Sequence, residues 1–576
     1  MAMRASHVLL PIVGAVLWAA PLPASAAGQE AAPIPGVDAA DLARFEGGLR
    51  QAGATDRNLA EYEQTLRDES PAEREESIHL MRTASPEYFS PRVVSMRRGA
   101  ALGALERPPQ PLFAHVRPVR GYDSLKGVTI PNTTIDQVIL DPDGWCRVVA
   151  TVRHPPATDQ VRVYVALPVQ GWNGRFLGTG GGGFAGGSPT SLRWNARSGF
   201  AVAATDTGHD TPNGSFALDK NGHLDWQQVI DFSSLGIHEM TLVGKGLVRA
   251  FYGRPPGRSY FMGGSTGGRE ALMEAQRYPE DYDGIVAVAP ALYFNHLKFA
   301  QLWPQFVMTD ARHFVSKAKL IAVTAAAVRD WKTREGTSDD YISDPRRSHF
   351  DAKAFVGTDV DGETFNDADA DVVNRMWAGP RQKNGSFLWY GLMRGAELQH
   401  LGGTTGKPLH GQPYSMAVDW VRYFLLQDPT WDEGKLTQAG FERLLDESVR
   451  KFGTQIETAD PDLARFRDHG GKLIIWHGWA DQIIPPEGTI RYFEQVERRM
   501  GGGNAVAAFA RLFMVPGVAH CGGGNGPQPF GLGAAIRRWV EEGEAPERLT
   551  AEMFDGEGRP TGPRTLEPFE DPSEHL

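Results

Sequence analysis

Short β-branched runs recur through the middle of the chain, spaced by stretches of helical periodicity. The runs fall at 146–152, 161–167, 175–177, 200–205, 259–262, 284–289, 473–476 and 511–515. Helical stretches at 237–252 and 269–278 lie among them. Strands alternating with helices predict an α/β fold, a mostly parallel sheet with helices on both faces. From about 296 to 465 the alternation lapses into a segment rich in charge, Trp and Gly, with helical pieces at 317–331 and 414–426. The pattern therefore predicts one sheet domain, 131–295 and 466–576, interrupted by a large inserted lid at 296–465. Residues 27–130 are rich in Ala, Glu and Arg, helical at 42–50 and 72–82, with Pro108, Pro109 and Pro111 marking an extended connection. Nothing in their pattern assigns them more than a packing role.

The first residues read as an export signal. Arg4 and His7 precede an apolar run at 8–22, and Ala24-Ser25-Ala26 supplies a small-residue cleavage pattern, giving a signal peptide at 1–26. Pro11 and Pro21 break the run, and no later stretch approaches the ~20 apolar residues of a spanning helix. A periplasmic or secreted bacterial protein is the expectation. A formal charge of −11 over 576 residues argues against nucleic acid or an anionic membrane as partner.

Gly263-Gly264-Ser265-Thr266-Gly267-Gly268 follows one predicted strand and opens a helix, the context of a G-x-S-x-G nucleophile elbow. The motif glycines let neighbouring backbone approach the turn, and the helix N-terminus favours developing negative charge. A serine hydroxyl needs a base, and the base needs an orienting acid, in the chain order Ser, Asp or Glu, His. Asp481 lies just past the strand at 473–476, and His520 lies in the loop after the strand at 511–515. His477 competes with His520 but reads as a structural neighbour of Asp481. Thr266 N–H is one expected oxyanion donor. The second comes from the glycine-rich stretch 178–183, with Gly182 favoured and Gly181 next. No G-K-S/T completes a phosphate-binding loop there. Asp206, His209 and Asp210 match no standard zinc spacing and read as loop-ordering residues.

With those residues placed, the chain resembles the tannase and feruloyl esterase family, which includes the bacterial mono(2-hydroxyethyl) terephthalate hydrolase. The likeness runs from about Trp145 to Pro546. It rests on Trp172-Asn173-Gly174-Arg175-Phe176-Leu177-Gly178, Ser265-Thr266-Gly267-Gly268-Arg269 and Ala275-Gln276-Arg277-Tyr278-Pro279. His477-Gly478-Trp479-Ala480-Asp481, Pro516-Gly517 and His520-Cys521-Gly522-Gly523-Gly524 complete it. The resemblance implies an α/β-hydrolase fold and hydrolysis of esters of aromatic acids: galloyl, feruloyl or other hydroxycinnamoyl, hydroxybenzoyl or terephthaloyl. Two departures stand out. Relatives carry a cysteine before the nucleophile, bonded to the one after the catalytic histidine, where this chain has Gly264. Relatives also hold calcium in an Asp-rich lid loop, where 331–345 here puts Lys332 at a ligand position and leaves Glu335 and Asp339. Lys332 is expected to pair with one of these two, so neither metal nor organic cofactor is expected.

The sequence thus predicts an exported serine ester hydrolase with the triad Ser265, Asp481 and His520, acting on a small aromatic ester. Arg394 is a candidate for reading a free carboxylate on the acyl group. The rival readings are an esterase for aliphatic or hydroxyacid-oligomer esters on the same triad, and a non-catalytic exported binding protein.

Overall fold

Among the described residues four α-helices precede the sheet: α1 (Ala39–Gln51), α2 (Asp56–Asp68), α3 (Pro71–Thr83) and α4 (Pro86–Leu105). They enclose an apolar core of their own around Phe45, Leu49, Tyr62, Leu66, Met81 and Val93. The computed structural model describes residues 34–570 except 70, 85 and 106, so the expected signal peptide lies outside the described residues. No described helix is long and apolar enough to cross a membrane.

The sheet begins with β1 (Thr133–Leu140), β2 (Trp145–Val152), β3 (Val161–Pro168), β4 (Arg175–Thr179) and β5 (Ala201–Thr205). It continues with β6 (Arg258–Gly264), β7 (Gly284–Val288), β8 (Lys472–Gly478) and β9 (Ala510–Val515). Their spatial order is β1-β2-β3-β5-β4-β6-β7-β8-β9. From β5 to β9 every pairing is parallel, whereas β1, β2 and β3 add an antiparallel edge. This is the α/β-hydrolase architecture. Strands β4, β5 and β7 are buried throughout, as strands covered on both faces must be.

Helices α5 (Thr190–Arg197), α6 (Gly236–Tyr252) and α7 (Thr266–Arg277) lie before the interruption. Between β7 and β8 the chain forms α8 (Phe294–Ala311), α9 (Lys317–Glu335), α10 (Asp367–Ala378) and α11 (Gln438–Ile456), with a π-helical turn at Trp420–Leu425. This segment has a separate core that includes Trp303, Phe306, Trp420 and Phe441, and Phe184, Phe232 and Ile483 from loops at the sheet join it. Trp303, Trp331, Trp377, Trp389 and Trp420 are all buried, so packing is their main task. After β8 come α12 (Glu487–Met500) and α13 (Leu532–Glu542), then a three-stranded sheet of β10 (Gln528–Phe530), β11 (Leu549–Phe554) and β12 (Pro560–Leu566). Alternation along the strands serves two cores. Phe261, Ile285 and Ile475 meet α6, α7 and α12 on one face. Tyr260, Val286, Ile474 and Trp476 meet α5 and α13 on the other.

Candidate active site

Four loops leave the carboxyl ends of β4, β6, β8 and β9, on the same rim of the sheet, where open α/β sheets place their ligands. Ser265 is the residue between β6 and α7. Its φ of 60° and ψ of −121° place a non-glycine residue in a sparsely populated region, a strain of about 1–3 kcal/mol. The turn is fixed by its backbone: Ser265 N donates to Val288 O at 2.9 Å, and Ala291 N donates to Ser265 O at 3.0 Å. The motif glycines are required by contact with each other, because a Cβ on Gly263 would lie 2.4 Å from the Gly267 carbonyl oxygen.

Asp481 is fully buried, and both of its oxygens are used. Oδ1 accepts from the backbone N–H of Ile483 and Ile484, each at 2.8 Å. Oδ2 accepts from His520 Nδ1 at 2.7 Å and from His477 Nε2 at 3.0 Å. His477 is therefore a structural neighbour of the carboxylate, and its Nδ1 meets Thr489 Oγ1 at 2.8 Å. Burial alone would raise the Asp481 carboxyl, but the two imidazoles reverse this and hold it well below the usual carboxylate range. Burial likewise opposes charge on His520, yet Asp481 and then Cys521 keep its pKa well above the ordinary histidine value. Gln482 Oε1 takes the His520 backbone N–H at 3.0 Å, tying the acid's loop to the base's. His520 Nε2 faces Cys521 Sγ at 3.7 Å, and Ser265 Oγ makes no hydrogen bond to it among the described residues. Such bonds in free enzymes are often long and tighten with substrate bound.

The glycine-rich loop after β4 departs from expectation. Gly182 N–H donates to Ala185 O at 3.0 Å within the loop, and Gly181 N–H donates to Glu270 Oε2 at 2.9 Å. Both glycines expected as the second oxyanion donor thus have their N–H groups bonded within the protein. The next residue, Gly183, has φ +64°, and its N–H has no acceptor among the described residues. Its carbonyl accepts from Thr266 Oγ1 at 2.6 Å, which pins this peptide beside the start of α7. Burial pushes the Glu270 carboxyl up to about 8. A buried carboxyl five residues past Ser265 on its helix was the signal, overlooked in the sequence, that this loop is held from below.

The inserted segment reaches the loops after β4, β8 and β9. Phe184 stacks on Phe424 with ring centroids 5.7 Å apart, and Gln301 Nε2 donates to Ile483 O at 3.3 Å. Asn525 Nδ2, beyond His520, donates to Asp340 O at 3.1 Å. Met416 Sδ lies 3.6 Å from where a Gly183 Cβ would be, and burial raises the pKa of Tyr414, with the nearby Asp481 adding to the shift. Among the described residues no contact brings Arg394 to the triad. Its Nε donates to Phe350 O at 2.7 Å and its guanidinium lies over the Trp377 ring, inside the inserted segment.

The loop after α9 corrects a second expectation. Lys332 pairs with Asp340, not with Glu335 or Asp339, because the chain turns back after Gly336. Glu335 instead pairs with Arg347 at 3.3 Å. Calcium needs six to eight oxygens, several from carboxylates, and a loop in which Glu335 and Asp340 are each paired with a cation does not fit it well. Elsewhere among the described residues, ligand-type side chains gather at His154, Asp159 and Asp231 and at His238, Glu274 and Asp281. In each group the imidazole is already hydrogen-bonded to a carboxylate. Asp206 orders its loop by accepting from Arg162 N and Gly208 N, both at 2.8 Å.

Both cysteines are free thiols. Cys146 opens β2 near one edge of the sheet and Cys521 follows β9 at the other, far beyond disulfide reach. Thiol titration of the unfolded, unreduced protein is expected to find two reactive groups, and reductant is expected to leave activity unchanged. Finding none would contradict this placement.

The chain matches the family described as tannase and feruloyl esterase over residues 146–574. The "Probable feruloyl esterase" of Arthroderma benhamiae is 37% identical over 445 residues, 75% of this chain and 81% of that protein. Feruloyl esterase B of Aspergillus niger is 30% identical over 67% of this chain and 76% of its own length. Among solved structures, feruloyl esterase B from Aspergillus oryzae superposes with a TM-score of 0.68 at 25% identity, covering 78% of this chain and 96% of its own. The tannin acyl hydrolase from Aspergillus niger shares the fold, with a TM-score of 0.71 at 24% identity over 78% of this chain and 92% of its own.

Proposed function

We propose that this chain, which belongs to the tannase and feruloyl esterase family and is a carboxylic ester hydrolase, cleaves esters of aromatic acids through an acyl-enzyme on Ser265. The observation that carries this reading is the Asp481–His520 pair on the same rim of the sheet as a strained elbow serine. In this mechanism Ser265 Oγ attacks the ester carbonyl while His520 Nε2 takes its proton. Asp481 holds the other nitrogen as N–H and stabilises the imidazolium that forms. Thr266 N–H and Gly183 N–H receive the oxyanion, with Gly183 taking the place of Gly182 and Gly181 as the second donor. His520 then protonates the departing alcohol oxygen as the carbonyl reforms. Water, deprotonated by the same imidazole, releases the acid and restores Ser265. No step calls for a cofactor.

The aromatic acyl group is supported by the names of the relatives, feruloyl esterases and a tannin acyl hydrolase. In this reading the segment between β7 and β8 is a lid that shapes the acyl pocket, consistent with its contacts to the loops after β4, β8 and β9. The signal-like residues 1–26 support export to the periplasm or the medium. The test is a panel of p-nitrophenyl acetate, methyl gallate, methyl ferulate and mono(2-hydroxyethyl) terephthalate. At least one aromatic acyl ester is expected to exceed the acetate in kcat/KM. Turnover of the acetate alone would refute the substrate class.

A further inference from the structure

The helical unit before the sheet is joined to both sides of the site. Asp68, at the end of α2, ion-pairs with Arg193 on α5, the helix into which the glycine-rich loop runs, and lies 3.5 Å from Arg147 on β2. Asp68 and Arg193 are each more than nine-tenths buried. At the other side, Arg98 on α4 donates from Nη1 to the carbonyl of Gly524 at 3.1 Å. Its half-buried guanidinium rests over the Phe554 ring, 5.7 Å from the centroid.

Gly524 closes the loop that carries His520. It bridges to Val518, two residues before the histidine, and Gly522, Gly523 and Gly524 all have positive φ. A run of three glycines has the greatest backbone freedom to lose, so its native path depends on ties from outside. Gln528 supplies one from beneath, donating from Nε2 to the carbonyls of Gly523 and Gly526 at 2.8 Å and accepting from Gly523 N–H at 2.7 Å. Arg98 supplies another, from a part of the chain that precedes the sheet altogether.

We propose that Arg98 is a positioning residue for ester hydrolysis, holding the Gly524 carbonyl so that the His520 loop keeps its imidazole aligned between Asp481 and Ser265. This rests on His520 being the catalytic base. Arg98 touches no reacting atom, so it acts on turnover through geometry and leaves substrate binding alone. A displacement of about 1 Å in a catalytic group can cost on the order of a hundredfold. Loss of one of several ties is expected to cost roughly a tenth of that.

The test uses the full-length protein and methyl ferulate, with Arg98→Ala, Arg98→Lys, Arg97→Ala and His520→Ala compared side by side. Arg97 is the matched control: it leaves the same helix but donates to Gly53 O and Glu557 O. Arg98→Ala is expected to lower kcat about tenfold with KM within twofold, and Arg98→Lys, whose ammonium can reach the same carbonyl, to recover most of it. Arg97→Ala is expected to keep wild-type kcat. Wild-type kcat in Arg98→Ala overturns the inference, and so do equal losses in Arg97→Ala and Arg98→Ala, which would reduce the effect to general loosening of α4. His520→Ala separates the layers. Near-wild-type activity there overturns the catalytic reading itself, whereas an inactive His520→Ala beside an unaffected Arg98→Ala faults the positioning role alone.

Discussion

Ser265→Ala is expected to lower turnover of methyl ferulate by about a million-fold, the loss typical when a triad serine is removed. The substitution deletes one oxygen and little else. Alanine keeps the Cβ, so the backbone at φ 60° is no more strained than with serine. The bonds that fix the turn run through the backbone N–H and carbonyl of residue 265, which the substitution leaves in place. The melting temperature is therefore expected to stay within a few degrees of wild type while the acyl-enzyme disappears. With p-nitrophenyl acetate the parent should show a burst of nitrophenol and the variant none. Near-wild-type hydrolysis by the alanine variant would remove Ser265 from the mechanism.

The second large effect is expected from Asp481→Asn, on the order of ten-thousand-fold in turnover. Here the structure dictates which way the amide must face. Two backbone N–H groups, from Ile483 and Ile484, point at Oδ1, so that position must remain an oxygen. The amide NH2 then replaces Oδ2 and faces His520 Nδ1 and His477 Nε2. It donates to His520 Nδ1, which drives the imidazole proton onto Nε2, the nitrogen that has to accept from Ser265. A second consequence has a definite sign. In the parent, Asp481 is a principal reason that the pKa of His520 lies above its ordinary value, and the base works only when neutral. The acid limb of kcat/KM should therefore lie above the unperturbed histidine pKa of about 6.5 in the parent and move to lower pH in the variant. A loss of less than tenfold, with an unmoved acid limb, would mean that Asp481 does not orient the base.

Much of this was legible in the residues themselves, for a definite reason. Runs such as 284–289 and 473–476 are buried on both faces, so their apolar character is continuous and announces a strand. The turns that follow carry their chemistry at fixed offsets, which is why Ser265, Asp481 and His520 could be placed before any coordinates. The strand Thr133–Leu140 was missed because it is a sheet edge with most positions at least partly exposed, leaving little apolar signal. In the proposed mechanism the second oxyanion donor moves by one residue, from Gly182 to Gly183. Which N–H of a glycine run remains free depends on a local bridge to Ala185 and on Glu270, a contact 89 positions away. The partner of Lys332 was misjudged for a similar reason, since it depends on how the chain returns after α9. The contacts of Arg98 join positions 426 apart, and no pattern along the chain encodes them.

The adjacency of β7 and β8 has a consequence for how the enzyme is made. Gly284 is in register with Lys472 and Val288 with Trp476, so this pairing closes a loop containing the whole inserted segment. Its thermodynamic cost is modest, because each doubling of loop length adds only about 0.6 kcal/mol. Kinetically it is a long-range parallel pairing, the slow kind. Strands β4 to β7 all precede the insertion in the chain, so they can pair before β8 is reached. At that stage the chain bears the serine turn but has neither Asp481 nor His520, so on the proposed mechanism it still lacks the acid and the base that ester hydrolysis needs. Docking of β8 and β9 completes the sheet and, on the proposed mechanism, brings Asp481 and His520 to the rim that carries Ser265, so activity is expected to appear late in folding.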